Sequence, residues 1–237
     1  MDIRELEQLV QQKDGALSAT FPALMRKVYV WMTLALAITG ICAYGVATSP
    51  SLLQMIYGNS TMIWVLLLAE LGLVFYTTAR IDRLSLSTAT TLFIIYSALN
   101  GVTLSSIFVV YSMTSIAKVF FITAGTFAAM ALYGYTTKTD LSRIGNILFM
   151  ALIGLVIATV VNIFLKSAMF DLILSYVGVA IFVGLTAWDS QKIKRMLAMQ
   201  TDMGEVAQKY ALMGALTLYL DFINLFLYLL RIFGNRD

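Results

Sequence analysis

The 237-residue chain contains no histidine, one cysteine and two prolines, and only 12% of its residues are charged. Each scarcity excludes something. Without histidine there is no Ser–His dyad and no imidazole-held metal. The single cysteine, Cys42, lies in an apolar run, which rules out an intramolecular disulfide and a cysteine-based metal site. The prolines, Pro22 and Pro50, read as lying outside the long apolar runs, so no run carries an internal helix breaker. Neither a G-x-S-x-G nucleophile elbow nor a phosphate-cradling G-x-x-x-x-G-K-[ST] occurs. The chain is therefore expected not to be an enzyme and to hold no tight cofactor.

What fills the sequence is apolar surface. Hydrophobic side chains make up 60% of the residues and the mean hydropathy is +0.85, the composition of a chain whose solvent is mostly the lipid bilayer. A spanning helix needs about 20 mainly apolar residues, and the gaps between charges supply them. Residues 28–69 carry no charge; this is too long for one span, and the polar stretch 48–61 divides it into helices at 28–47 and 62–79. Further helices are predicted at 86–110, 119–135, 144–165, 172–188 and 211–233. The expected fold is an all-α integral membrane protein: an N-terminal arm of residues 1–27, one seven-helix domain over 28–233, and a tail at 234–237. The arm mixes both charge signs and has no short apolar core, so it does not read as a secretory signal peptide.

The net charge of +3 is spread over loops and does not suggest nucleic-acid binding. With seven spans, twelve of the sixteen lysines and arginines fall on the side of the N-terminus, which the positive-inside rule makes cytoplasmic. A re-entrant last helix would make the split fourteen to two; length favours a full seventh span.

Ionisable residues inside spans are costly and mark functional sites by default. Asp221 lies at the centre of the last span, on a face shared by Thr217, Asn224 and Tyr228 at spacings of 4, 3 and 4. Asp189 ends the sixth run, and Glu70 lies mid-way along the second, which Arg80 closes. Arg80 and Asp189 reach the same leaflet, so an ion pair between them is geometrically allowed. Polar groups also recur at Tyr96, Asn100 and Thr103 in the third helix and at Thr159 and Asn162 in the fifth. Such groups often do no more than hold helices together by hydrogen bonds. Two membrane aspartates bring intramembrane aspartyl proteolysis to mind, but Leu-Tyr-Leu-Asp stands where those proteases carry Gly-x-Gly-Asp, and Pro22-Ala23-Leu24 lies in the N-terminal arm.

Four stretches together resemble the Bax inhibitor-1 (transmembrane BAX inhibitor motif) family, specifically its bacterial members. They are YSALNGVTLSSIFVVY, YGYTTKTDLSRIGNILFMALIGLVIATVVN, GLTAWDSQKIK and LTLYLDFINLFLYLLRIFG. The resemblance implies a bacterial inner-membrane protein whose last helix is central and enclosed by the other six. It also implies a pH-sensitive calcium leak governed by an aspartate pair, here Asp189 and Asp221, with a basic latch at the end of the second helix, here Arg80 and less readily Arg83. Trp188 stands where the family commonly has tyrosine. Glu70, Asn100, Asn162, Thr217, Asn224 and Tyr228 would supply supporting polar lining. Two carboxyls close enough to share a proton titrate as one coupled pair, and doubly ionised they suit Ca²⁺, a hard cation that takes carboxylate oxygens. Other readings are a membrane interaction protein modulating a membrane-bound protease or a stress response, and a proton-coupled transporter of another solute, which Glu70 would support. One geometric tension stands: Asp221 lies about 15 Å into a helix starting at residue 211, whereas Asp189 is expected at the membrane edge.

Overall fold

The computed structural model describes the backbone of residues 3–235 and side chains from Thr20 onward. Among the described residues there are nine α-helices: α1 (Ile3–Ala47), α2 (Pro50–Tyr57), α3 (Ser60–Arg80), α4 (Leu86–Leu104), α5 (Ile107–Val110), α6 (Met113–Thr136), α7 (Ser142–Leu165), α8 (Ala168–Ala198) and α9 (Glu205–Phe233). Seven helical stretches are long and apolar enough to cross a membrane. Helices suit lipid because every backbone group is satisfied within the segment.

Burial orders these helices into layers. About two thirds of the most apolar window of α9 is buried, against 6% for α7. Helices α1, α4, α6 and α8 pack on α9, while α3 packs on α4 and α7 on α8 as an outer layer. The enclosing ring expected of six helices is thus four, with two behind it. Large apolar side chains such as Ile41, Phe75, Phe121 and Phe164 point outward, as the bilayer allows.

The two ends of the bundle are fixed by different contacts. At one end Lys27 donates to Gln208 (2.8 Å), Lys209 to the carbonyls of Asp82 and Leu84, and the Leu86 amide to Glu205. At the other, Arg231 pairs with Asp171 (3.6 Å), the Ser112 amide donates to the Asn235 carbonyl and the Asn235 amide to Ser115. The last helix therefore runs the full depth of the bundle, and a re-entrant half-helix is not what forms.

Several expected boundaries shift for local reasons. The first membrane helix extends back to Thr20, and α1 continues N-terminally through the residues expected as a separate arm, so Pro22 lies inside a helix after all. Met1 and Asp2 of that arm, and the last two residues of the tail, lie outside the described residues. The polar stretch between the first two spans is not plain loop but the short helix α2, with Pro50 in its first turn, where its missing N–H is no loss. The third span breaks at Ser105. There the Tyr57 hydroxyl bonds the Thr103 carbonyl (2.8 Å) and accepts from the Ser106 amide (3.1 Å), while Ser105 Oγ donates to the Val102 carbonyl. These bonds satisfy backbone groups that the interrupted helix releases.

Candidate functional site

The sixth and seventh membrane helices decide whether the two aspartates meet. Helix α8 does not stop at Trp188 but continues nine residues beyond Asp189, and α9 begins six residues earlier than expected, at Glu205. Asp189 therefore lies about 14 Å from the end of α8, and Asp221 about 24 Å from the start of α9. In the antiparallel α8–α9 pair, Ile193 faces Gly214 and Tyr228 faces Gly178. Between these two contacts the carboxyls of Asp189 and Asp221 come within hydrogen-bonding reach of each other. The expected tension over depth is resolved by the longer helices.

Both groups are inside the protein: Asp189 is 7% exposed and Asp221 5%. Oδ2 of Asp221 is buried with no hydrogen-bond donor among the described residues. Two carboxylates cannot donate to each other, so a hydrogen bond between the pair requires a proton on one of them. Within one turn of the aspartates on the same two helices Leu185, Leu218 and Leu225 are buried, with Thr186 and Ser190 the buried polar neighbours on α8, a mainly apolar surrounding in which charge is not dispersed by water.

Neighbouring helices fix the approach. Gly134 of α6 lies against Ala187, and Gly145 of α7 lies against the Trp188 ring, so closely that a Cβ at either position would collide. The indole occupies a slot between α7 and α8. Immediately after the dyad, the segment Gln191 to Arg195 binds the α6–α7 connection. Gln191 donates to the Thr139 carbonyl and accepts from the Leu141 amide, Lys194 donates to the Tyr135 carbonyl, and Arg195 pairs with Asp140 at 2.9 Å. Asp140 in turn accepts from the Ser142 amide and hydroxyl. These bonds, with Arg195, hold its carboxyl below the usual aspartate range. The WDSQKIKR stretch thus carries the dyad aspartate and a structural clamp together.

Among the described residues the expected ion pair between Arg80 and Asp189 is not present. Helix α3 packs chiefly on α4 and α2, with Thr77 and Thr78 near Leu212 and Leu216 of α9, whereas α8 packs on α9, α6 and α7. The Arg80 guanidinium lies over the Tyr76 ring at 5.8 Å, and Arg83 is exposed and makes no ion pair among the described residues. The cation whose field reaches Asp189 is Lys192, one helical turn on, with its ammonium 5.0 Å from the Trp188 ring. An i, i+3 spacing in the sequence carried that signal.

The other polar residues form separate groups. Glu70 is buried on α3, accepting from Asn100 Nδ2 (3.1 Å) and Thr103 Oγ1 (2.7 Å). Tyr219 donates to Asn100 Oδ1 (3.0 Å) and meets Thr39 at 2.7 Å. Tyr219 and Asp221 are two positions apart, about 200° around the helix, so the Glu70 network grips the side of α9 away from the dyad. Thr217 and Asn224 return their hydrogen bonds to the carbonyls of Met213 and Leu220 in the same helix. Tyr228 stacks on Phe182, Thr159 returns its hydrogen bond to the Leu155 carbonyl, and Asn162 accepts from the Ser167 amide at the α7–α8 turn. The polar face expected along α9 is therefore not a continuous lining. Tyr219, next but one to Asp221 in LYLDF, is a polar anchor that spacing alone did not single out.

Comparison with known proteins supports the same assignment. The family model described as inhibitor of apoptosis-promoting Bax1 matches residues 22–237. The inner membrane protein YbhL of Escherichia coli K12 is 53% identical over 232 residues, covering 97% of both chains. An uncharacterised protein of Borreliella burgdorferi is 45% identical over 212 residues, 90% of this chain and 91% of its own. One of Deinococcus radiodurans is 39% identical over 237 residues, 99% and 100% of the two. The chain belongs to the Bax inhibitor-1 family of membrane proteins.

Proposed function

We propose that this protein is a pH-sensitive calcium leak channel or transporter, with the Asp189–Asp221 pair as its protonation switch and Ca²⁺ as the transported ion. The E. coli relative is described as an inner membrane protein, and this chain is assigned the same multi-pass location, N-terminus cytoplasmic by its charge distribution. The reading is carried by two carboxyls meeting in the buried seam between α8 and the central helix. With one proton between them they close the seam as a hydrogen-bonded pair. With none, two negative charges face each other in an apolar setting and either separate or take a cation. Two carboxylates offer at most four oxygens, whereas a resident Ca²⁺ takes six to eight, so the pair suits an ion in passage. Lys192, three residues on along the same helix, adds a positive field at Asp189, and Arg80 forms no ion pair with Asp189 among the described residues.

Ca²⁺ entry into proteoliposomes, followed with a trapped indicator across pH 5 to 8, tests this. Wild type is expected to show flux with a sigmoidal pH dependence. Asp189→Asn and Asp221→Asn, which cannot share a proton in the same way, should each flatten it. Flux that is pH-independent and the same in all three proteins would overturn the reading.

A further inference from the structure

Between α1 and α6 the bundle is not closed. Helix α6 presents Ala124, Ala128 and Ala131 at spacings of 4 and 3 on one face, and these small side chains leave a crevice of about 670 Å³, with Phe222 of α9 at its floor. The crevice lining is apolar except for Thr33, whose hydroxyl bonds the Tyr29 carbonyl of its own helix, and for one end. There Arg26 stands with Tyr29 and Tyr135, no carboxylate among the described residues lines the crevice, and Lys194 holds its ammonium 5.0 Å from the Tyr135 ring. Arg26 is exposed and makes no hydrogen bond or ion pair with the described residues.

We infer that this crevice is a binding site for one anionic glycerophospholipid, its phosphate on Arg26 and one acyl chain lying between α1 and α6 against Phe222. Two observations select this occupant. From Arg26 to Leu36, the far α1 residue of the crevice, is ten residues or about 15 Å, half of the roughly 30 Å hydrocarbon thickness and hence the depth of one leaflet. Among the described residues the mouth carries positive charge alone, matching a phosphate at headgroup level, and its two tyrosines have the apolar body and polar tip suited to that boundary. The site goes beyond calcium transport, and it places a lipid chain on the residue next to Asp221.

The test uses full-length protein reconstituted in phosphatidylcholine bilayers, with phosphatidylglycerol or phosphatidylcholine spin-labelled on an acyl chain, and reads the motionally restricted fraction by electron paramagnetic resonance. Wild type is expected to prefer phosphatidylglycerol about fivefold, the effect of about one basic residue at a membrane surface. Arg26→Gln should bring the preference to parity. Ala128→Trp, which fills the crevice, should lower the restricted fraction of both lipids while the protein elutes as wild type. Equal affinity for the two lipids in wild type, or a preference that survives both substitutions, would overturn the site. So would loss of an oligomer in Ala128→Trp, which would show that a second copy covers the crevice. None of these readouts depends on calcium flux, so the site and the transport reading stand or fall separately.

Discussion

Trp188 has a structural duty of its own beside Asp189. Its ring fills the slot that Gly145 leaves in α7, with Lys192 over it at 5.0 Å, so the indole anchors the turn of α8 from which Asp189 points inward. A tyrosine there would offer a hydroxyl; the indole offers a larger packing surface and a stronger face for a cation. Gly145→Leu puts a side chain where the ring now lies, and overpacking of this kind typically costs about 1–3 kcal/mol. The expected outcome is a lower midpoint of thermal unfolding in detergent. An unchanged midpoint would show that α7 can move away from Trp188 freely.

At the scale of elements, α8 works as a lever with the dyad in its middle and the loop clamp at its end. Its final turns hold the α6–α7 connection through Gln191, Lys194 and Arg195, so displacing α8 at Asp189 pulls on that loop. The Asp140 arm of the clamp has a definite pH sense. Because bonds from Ser142 and Arg195 lower its folded-state pKa, it contributes above the ordinary aspartate range and is lost as pH falls through the lowered value. Mobility of a spin label at Lys138→Cys, in a Cys42→Ser background, should stay low from neutral pH down past the ordinary aspartate range and rise only below it. In Asp140→Asn it should be higher throughout and show no such step. A rise well above that range in wild type would assign the loop's order to another group.

For the whole molecule, the seven spans put opposite ends of the bundle in different compartments. Single cysteines at Thr139 or Asp202 should react with a membrane-impermeant maleimide only from the cytoplasmic face, and cysteines at Ser112 or Ser167 only from the other, tested in intact cells and inverted vesicles. Cysteines at Asp202 and Asn235 labelled from the same side would restore the re-entrant last helix.

Much of this was legible in the residues. The seven apolar runs followed from where charges are missing, because lipid tolerates few of them and length then sets the count. The improbability of Asp221 at mid-membrane was likewise a matter of composition. Helix ends were read short at 188 and 211, because hydropathy marks where the bilayer begins and not where the backbone stops hydrogen-bonding: α8 and α9 run on through polar residues outside the apolar core. Two other features were invisible for a different reason. Arg80 shares a leaflet with Asp189, yet a leaflet is a plane, and position around the bundle within it is set by which helices pack together. Glu70 and Asp221 read as members of one class of buried carboxylate, but Asn100 and Tyr219 divide them onto opposite sides of α9. The sequence by itself determined the solvent, the number of spans and the residues too costly to be idle. Only the tertiary structure decided which of those residues meet, because contact between helices depends on their order around α9, and no period along one chain encodes that order.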